Sequence, residues 1–159
     1  MTAKAPSGVK LLSENRRARM RYAFDEFLEV GIALVGAEVK SIRGGKIDLA
    51  DAYATVTHGE LLLLNAFVAP YPFAKSFQPE PKRPRKLLAH RAEIDHLDGK
   101  IRQKGLTLVP LKVYLKEGKI KLELGLGKGK ALEDRREEIK EKESKREARN
   151  AMARARERR

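Results

Sequence analysis

Three clusters of basic residues are the part of this sequence with the clearest chemical potential. The third lies in a proline-rich stretch, residues 70–86, where Tyr71, Phe73 and Phe77 are interleaved with cations. Phosphate pairing needs cations and base stacking needs aromatic rings, so together they are typical of RNA-binding surfaces. One cluster alone would indicate only a solvated surface. The clusters are Arg16, Arg17, Arg19 and Arg21; Lys40, Arg43 and Lys46; and Lys82, Arg83, Arg85 and Lys86.

The charge of the whole chain favours the same class of partner. Its 159 residues carry a formal net charge of +13, and a field of that sign attracts polyanions, with nucleic acid the first candidate. No apolar run approaches the roughly 20 residues that span a membrane. The first twenty residues lack the apolar segment of a signal peptide. We therefore expect a soluble, cytoplasmic protein without a membrane partner.

Signatures of catalysis are weak. The stretch GLGKGKA, residues 125–131, resembles a phosphate-binding loop but lacks the glycine spacing and the following Ser or Thr of a Walker motif. We interpret it as a strand end followed by a flexible cationic linker. The chain has no cysteine, and the contexts of His58, His90 and His96 favour surface roles over metal ligation. We expect no enzyme, cofactor or metal site, since a metal-dependent nuclease would need clustered carboxylates.

Alternating apolar residues predict several strands. Residues 21–35 alternate as a half-buried strand, with Gly31 suggesting a bulge or bend. A short helix over residues 37–43 and a hairpin around His58-Gly59-Glu60 follow. The strongest hairpin signal is the alternation on both sides of Glu117-Gly118.

Prolines argue against regular structure over residues 70–86. The next stretch predicts a helix that ends at Gly105, with His90 as a plausible N-terminal cap and Glu93 three residues later. Its inward stripe is Leu87 or Leu88, followed by Ile94, Leu97 and Ile101.

This pattern predicts a mainly β protein with five or six antiparallel strands and two short helices. It suits a small, partly open barrel of the oligonucleotide-binding (OB) type, although a sheet with helices on one side also fits. We expect a flexible N-terminus over residues 1–13, the barrel over residues 14–127 and a basic tail over residues 128–159. The tail has too few large apolar residues to fold alone.

Five motifs resemble, in this order, those of the SsrA-binding protein family, small protein B. The match runs from about Glu14 to Glu143, most of the chain, and the combination of GAEVKS, RKLL and GLTLVPL is highly specific. The motifs are ENRRARMRYAF, EVGIALVGAEVKSIRGGKIDLADAY, PRKLLAHRAEI, KGLTLVPLKVY and GKGKALEDRREEIK.

The resemblance implies an OB-type barrel with a non-enzymatic role in trans-translation. Family members bind the tRNA-like domain of tmRNA and deliver it, with GTP-bound elongation factor Tu, to ribosomes stalled on messages without a stop codon. A monomer is expected. The alternative from the residues alone is a general single-stranded RNA-binding or ribosome-assembly protein with an OB fold.

The resemblance also implies a tmRNA-binding surface. Glu29, Leu88 and His90 match the family's motif positions, and a carboxylate at Glu29 would accept hydrogen bonds from bases or sugars, or orient an arginine. Further residues in matching motifs are expected to contact RNA. They are Asn15, Arg16, Lys40, Arg43, Arg85 and Lys86.

The resemblance implies that the tail enters the decoding centre and the empty messenger channel of the small ribosomal subunit. Met20 stands where the family commonly has histidine, and Arg135 replaces a lysine, which changes the donor geometry. The expected ribosome-binding residues are Met20, Lys128, Lys130, Asp134, Arg135, Arg136, Ile139, Lys142, Arg146 and Arg149.

Helical geometry gives this tail one basic face. At about 100° per residue, Arg135, Lys142, Arg146, Arg149 and Arg156 fall within about 60° of one direction. The i, i+4 pairs along it contribute only about 0.2 to 0.5 kcal/mol each, and nucleation opposes the helix. The tail is therefore predicted to be disordered when free and helical on the ribosome.

Overall fold

The computed structural model describes residues 8–74, 77–129 and 132–157. The chain divides into two compact units, residues 1–129 and 130–159. The strands are β1 (Val9–Glu14), β2 (Tyr22–Ile32), β3 (Ile47–Asp48), β4 (Tyr53–Thr57), β5 (Glu60–Leu64), β6 (Phe67–Val68), β7 (Arg85–Leu88), β8 (Thr107–Lys116) and β9 (Lys119–Gly129). The helices are α1 (Ala18–Arg21), α2 (Gly36–Arg43), α3 (Arg91–Lys104) and α4 (Leu132–Glu157).

The first unit is an antiparallel sheet that nearly closes into a ring. Its strand order is β1-β8-β4-β5-β7-β2-β9, and β8 also pairs with β9. The ring is held by few residue pairs at two places. Strand β4 pairs with β8 only at Ala54–Leu108, and β2 pairs with β7 over two residues. The prediction of a mainly β protein with short helices is confirmed.

Both predicted hairpins are present. His58-Gly59 joins β4 to β5 and Glu117-Gly118 joins β8 to β9, each with positive φ at both turn residues. Positive φ at two successive residues matches the right-handed twist of the strands that such turns connect. Beyond the second turn, alternate leucines of β9 enter the core. These are Leu122, Leu124 and Leu126.

The bulge in β2 lies at Asp25 and not at Gly31. The pairing of β2 with β9 shifts register between Phe24 and Glu26, whereas Gly31 pairs regularly with Leu88 of β7. A Cβ atom at Gly31 would lie 3.3 Å from the Cβ atom of Leu88. Gly31 therefore permits a close approach of β2 and β7.

The glycine-rich stretch is strand and not linker until Gly129. A Cβ atom at Gly125 would lie 2.7 Å from the ring of Phe24, and one at Gly127 would lie 2.3 Å from the carbonyl oxygen of Ala23. Both distances are too short for any side chain, so these glycines allow β2 to lie against β9. The strand end predicted in this stretch therefore lies at Gly129, and the two residues of the stretch after it lie outside the described residues.

Two other segments differ from prediction. Residues 9–13, expected to be flexible, belong to β1, which pairs with β8 from Val9 to Glu14. Arg85 to Leu88, assigned to an irregular segment and to the start of a helix, form β7 between β5 and β2. Sequence patterns missed both strands because each is short and borders residues that disfavour regular structure.

Helix α3 begins directly after the predicted cap position, His90, and ends at the predicted residue, whereas Leu87 and Leu88 lie in β7 and not on its inward stripe. His90 is its N-cap by position but its side chain makes no capping hydrogen bond. Ile94 and Leu97 are buried, and Gly105 ends the helix in the left-handed conformation with φ of 63°, as glycine commonly does.

The second unit contains helix α4, and its predicted disorder in the free protein stays a prediction. No helix in the described part of the chain is long and apolar enough to cross a membrane. Within the same ranges, no group of three or more His, Asp or Glu residues could hold a metal ion.

Candidate nucleic-acid interface

Strand β7 separates the predicted RNA-binding residues into two sets. Arg85 and Leu87 are buried, whereas Lys86 and Leu88 between and after them are exposed. This alternation follows from the pleat of a strand, in which successive side chains point to opposite faces. Only the outward pair is available to a partner.

Arg85 is a structural residue of the barrel. It is 1% exposed, and its Nε donates to Oε2 of Glu38 at 2.7 Å. Its Nη1 donates to the carbonyls of Ala66 at 2.9 Å and Arg83 at 3.1 Å, and its Nη2 to that of Pro81 at 3.0 Å. These partners leave no donor for phosphate, and the expected RNA contact at Arg85 is corrected.

Glu38 neutralises the cation that β7 places inside the fold. Its carboxylate is 2% exposed, lies 2.6 Å from Nη2 of Arg85 and also accepts from Arg83 and the Val35 amide. Burial alone would raise the pKa of Glu38, but these hydrogen bonds outweigh it and hold the pKa below its ordinary value. Burial in turn lowers the pKa of Arg85, and Glu38 opposes that shift. Neither partner is adequately solvated without the other.

Asn15 is the second expected RNA contact that the structure places inside. The residue is 6% exposed, and its amide nitrogen donates to the carbonyls of Leu49 and Pro110, both at 3.1 Å. Both amide hydrogens have acceptors, so Asn15 ties three segments of the barrel together. Its assignment to the RNA-contact set is corrected.

Glu29 lies on the outer face of β2 within a small polar group. Its carboxylate accepts a hydrogen bond from the Tyr114 hydroxyl and lies 3.4 Å from Nζ of Lys116. The Tyr114 hydrogen bond, with help from Lys116, lowers the pKa of Glu29. Burial and Glu29 together raise the pKa of Tyr114. Glu29 is therefore ionised and oriented by β8, with lone pairs left for another donor.

Leu88 lies next to this polar group. It is 52% exposed and pairs with Gly31, two residues beyond Glu29 on the same face of β2. Because Gly31 has no side chain, nothing on that residue covers Leu88. The result is an apolar contact point beside an oriented carboxylate.

Lys86 and His90, on either side of Leu88 along the chain, are exposed. Nζ of Lys86 lies 3.7 Å from Glu60, and Nε2 of His90 lies 3.8 Å from Glu93. The exposed Lys86–Glu60 ion pair is weak, and both Lys86 and His90 can exchange these contacts for contacts to phosphate.

Further exposed cations lie on α2 and just before α1. Lys40 and Arg43 are exposed on α2, and Nζ of Lys40 lies 5.4 Å from the ring centroid of Tyr71. Arg16 is exposed just before α1, with Nε 3.9 Å from Glu14. All three remain candidates for phosphate pairing.

The predicted ribosome-binding residues occupy three elements. Met20 is exposed on α1 and Lys128 on β9, whereas Lys142, Arg146 and Arg149 are exposed on α4. Lys130 lies outside the described residues. For Asp134, Arg135, Arg136 and Ile139 the structure describes the helical backbone of α4 and not the side chains.

Several residues that build this region could not be predicted from local sequence patterns. No local pattern indicates a role for Glu38, Tyr114 or Lys116, although alternation along β8 places Tyr114 and Lys116 on one face. Glu26 interrupts the apolar alternation of β2. It joins β2 to α3 through His96 at 3.0 Å and through Lys100, and the Lys100 hydrogen bond is the main cause of its lowered pKa.

Comparison with known proteins identifies the relatives of the chain. A family model described as SmpB protein matches residues 12–154. The SsrA-binding protein of Symbiobacterium thermophilum is 49% identical over 151 residues, covering 94% of this chain and 96% of the relative. That of Pelotomaculum thermopropionicum is 52% identical over 144 residues, covering 91% and 94%.

A solved structure is similar as well. A chain from the work described as "tmRNA-SmpB: a journey to the center of the bacterial ribosome" is 47% identical, with a TM-score of 0.65. The similarity covers 84% of this chain and 95% of the solved one.

Proposed function

The chain belongs to the SsrA-binding protein (SmpB) family, and from that premise we propose how it carries out the role of this family in trans-translation. It is an RNA-binding protein without catalytic activity, and its RNA is SsrA RNA, also called tmRNA. The further assignments concern which of its surfaces meets which RNA.

The outward face of β2 and β7 binds the tRNA-like domain of tmRNA. The observation that carries this proposal is the pairing of Gly31 with Leu88, which leaves an exposed leucine beside the oriented carboxylate of Glu29. Glu29 accepts from a base or a ribose hydroxyl, and Leu88 packs against the face of a base or sugar. The barrel that presents these residues is of the OB type.

The exposed cations of the expected RNA-contact set pair with the phosphate backbone. They set the register of the RNA and carry little sequence information, which is read by contacts to bases. His90, exposed at the start of α3, offers ring nitrogens to the same strand. The cations are Arg16, Lys40, Arg43 and Lys86.

The second unit acts on the ribosome. We assign its basic face, with Lys142, Arg146 and Arg149 exposed on α4, to the RNA walls of the decoding centre and the empty messenger channel. The remaining residues of this assignment are Met20, Lys128, Lys130, Asp134, Arg135, Arg136 and Ile139. The protein acts as a monomer in the cytoplasm and reaches the stalled ribosome with charged tmRNA and GTP-bound elongation factor Tu.

A competition experiment tests the RNA assignment. A tRNA-like fragment of tmRNA should displace unstructured RNA of equal length at one salt concentration, because the outward face recognises a shaped RNA. Equal competition by both RNAs would instead support a general single-stranded RNA-binding or ribosome-assembly protein.

A truncation separates the two units. Protein ending at Gly129 retains β1 to β9 and should bind the tRNA-like fragment with unchanged affinity while failing to support tagging of stalled chains in a reconstituted translation system. The full-length K142Q/R146Q/R149Q variant is the matched control, because it removes three cations while keeping good helix formers. Loss of tmRNA affinity in the truncated protein would contradict the separation.

A further inference from the structure

The loop between β6 and β7 carries features that the proposed tmRNA surface does not use. Phe73 and Phe77 are 75% and 72% exposed, the highest values among the large apolar side chains whose exposure the structure describes. Single exposed hydrophobic residues are common on proteins. Two exposed rings in one short loop on a basic protein indicate a contact surface.

This loop is anchored at both of its stems. The side-chain amide of Gln78 accepts from the Tyr71 amide at 3.3 Å and donates to the Tyr71 carbonyl. Nearer the barrel, the Val68 amide donates to the Pro81 carbonyl at 3.0 Å, and the same carbonyl accepts from the buried Arg85. Phe77, next to Gln78, is thereby held near Tyr71.

One side of the loop continues into the cationic surface of α2. The Tyr71 and Phe73 rings meet edge to face, with centroids 5.7 Å apart, and Lys40 lies over the Tyr71 ring. The hydroxyl of Ser41, the next residue of α2, donates to the Ala69 carbonyl at 2.6 Å. A cation and two aromatic rings therefore form one continuous group.

We propose that this aromatic loop, defined by Tyr71, Phe73 and Phe77 with Lys40 beside it, is a second RNA-binding site that takes unpaired bases. Exposed rings stack on base faces without regard to sequence, and the adjacent cation pairs with the backbone of the same strand. The inference rests on the proposed function only in taking the partner to be RNA. Its aromatic residues are separate from Glu29 and Leu88, and it shares only Lys40 with the phosphate contacts proposed above.

The charge of the surroundings favours RNA over a protein partner. Lys40, Arg43 and Lys82 are exposed around the loop, whereas Arg83 is occupied by Glu38. Exposed cations beside rings complement a strand of phosphates and bases. The unpaired bases can belong to tmRNA or to ribosomal RNA, and the experiment distinguishes these sources.

The absence of tryptophan from the chain gives a direct probe. A full-length Phe77→Trp variant carries one tryptophan, whose fluorescence is quenched when a base stacks on it. The titrations use a tRNA-like fragment of tmRNA, full-length tmRNA, small ribosomal subunits and fully paired RNA of matched length, with RNA binding followed separately by anisotropy. The matched control is Leu11→Trp, at an exposed position of β1.

Quenching by RNA with unpaired bases, and none by fully paired RNA, is the expected result. Quenching by either tmRNA form assigns the site to tmRNA, whereas quenching by subunits alone assigns it to ribosomal RNA. Binding in every titration without quenching of Phe77→Trp, or equal quenching of Leu11→Trp, would overturn the site. If the tRNA-like fragment fails to outcompete unstructured RNA but RNA still quenches Phe77→Trp, the proposed function is overturned and the loop site is retained.

A leucine pair distinguishes base stacking from apolar docking to a protein. The Phe73→Leu/Phe77→Leu variant keeps apolar side chains but removes the rings, and its affinity for the quenching RNA should fall roughly tenfold or more. Unchanged affinity would overturn stacking and indicate a protein contact on the same loop. The rings are exposed, so the urea midpoint of the variant should match that of the unmodified protein.

Discussion

The two faces of β7 carry nearly the same residue types and have opposite roles. Arg85 and Leu87 point inward, where the arginine is held by Glu38 and by three backbone carbonyls. Lys86 and Leu88 point outward, where the lysine has one loose partner and the leucine is half exposed. One cation and one leucine maintain the fold while the other pair remains available for RNA.

This contrast shows that residue type alone does not identify an RNA contact. A cation binds phosphate only when its donors are free, and the donors of Arg85 are all used. The side of the strand decides the role because successive side chains alternate between core and solvent. Variants at neighbouring positions of β7 can therefore separate stability from binding.

Replacing the inward cation should give the largest effect. Arg85→Met leaves the Glu38 carboxylate buried with only part of its hydrogen bonding, so the free energy of unfolding should fall by about 3 to 5 kcal/mol. Urea unfolding measures this loss, with Lys86→Met as the neighbouring control, expected to change stability by no more than about 0.5 kcal/mol. The Glu38→Leu/Arg85→Met double variant should recover part of the loss.

Acid should weaken the same inward network. The pKa of Glu38 in the folded protein lies below its ordinary value of 4.5, so its ionised form contributes stability that is present above pH 4.5 and is lost as the pH falls through the folded pKa. Urea midpoints measured from neutral to acidic pH should show this loss. Glu38→Gln should be less stable at neutral pH and lose less on acidification; a parallel acid profile would contradict the network.

Removing the outward cation should affect binding only. Lys86→Ala should make the plot of the logarithm of the tmRNA-binding constant against the logarithm of salt concentration less steep. The slope should change by about 0.9 if Lys86 neutralises one phosphate of paired RNA, and by less if the RNA is single-stranded. The affinity should fall a few-fold at physiological salt while the urea midpoint stays constant. An unchanged slope would remove Lys86 from the phosphate contacts.

The smallest expected effect concerns the orientation of Glu29. Tyr114→Phe removes the hydroxyl that donates to this carboxylate, and loss of one such hydrogen bond corresponds to about 0.5 to 1.5 kcal/mol. The pKa of Glu29 should rise toward its ordinary value. As the pH is lowered, RNA binding by the variant should therefore begin to weaken at a higher pH than RNA binding by the unmodified protein. Identical pH profiles for binding would show that Tyr114 does not orient Glu29.

Sequence patterns predicted the strands and helices whose apolar spacing and whose turn or cap residues indicate the same structure. The β8–β9 hairpin is the clearest case, because leucines alternate around a Glu-Gly turn whose two residues adopt positive φ. Helix α2 and the end of α3 at Gly105 were predicted for similar reasons.

The missed features depend on contacts between residues distant in sequence. Arg85 looks like a surface cation until Glu38, 47 positions earlier, is placed beside it. Gly125 and Gly127 look like a flexible linker until Phe24 and Ala23 are laid against them. The candidate surface was predicted through motif resemblance at Glu29 and Leu88, whereas the roles of Tyr114 and Lys116 required the pairing of β2 with the β8–β9 hairpin.

The most direct test of the outward face is the dissociation constant of Leu88→Ala for the tRNA-like fragment of tmRNA. Leu11 on β1 is the matched control, because it is 51% exposed against 52% for Leu88 and lies on a strand outside the proposed surface. Removing apolar surface that RNA covers should raise the dissociation constant roughly tenfold, about 1.4 kcal/mol, while Leu11→Ala leaves it unchanged. Equal dissociation constants for Leu88→Ala and the unmodified protein would contradict the assignment of this face to tmRNA.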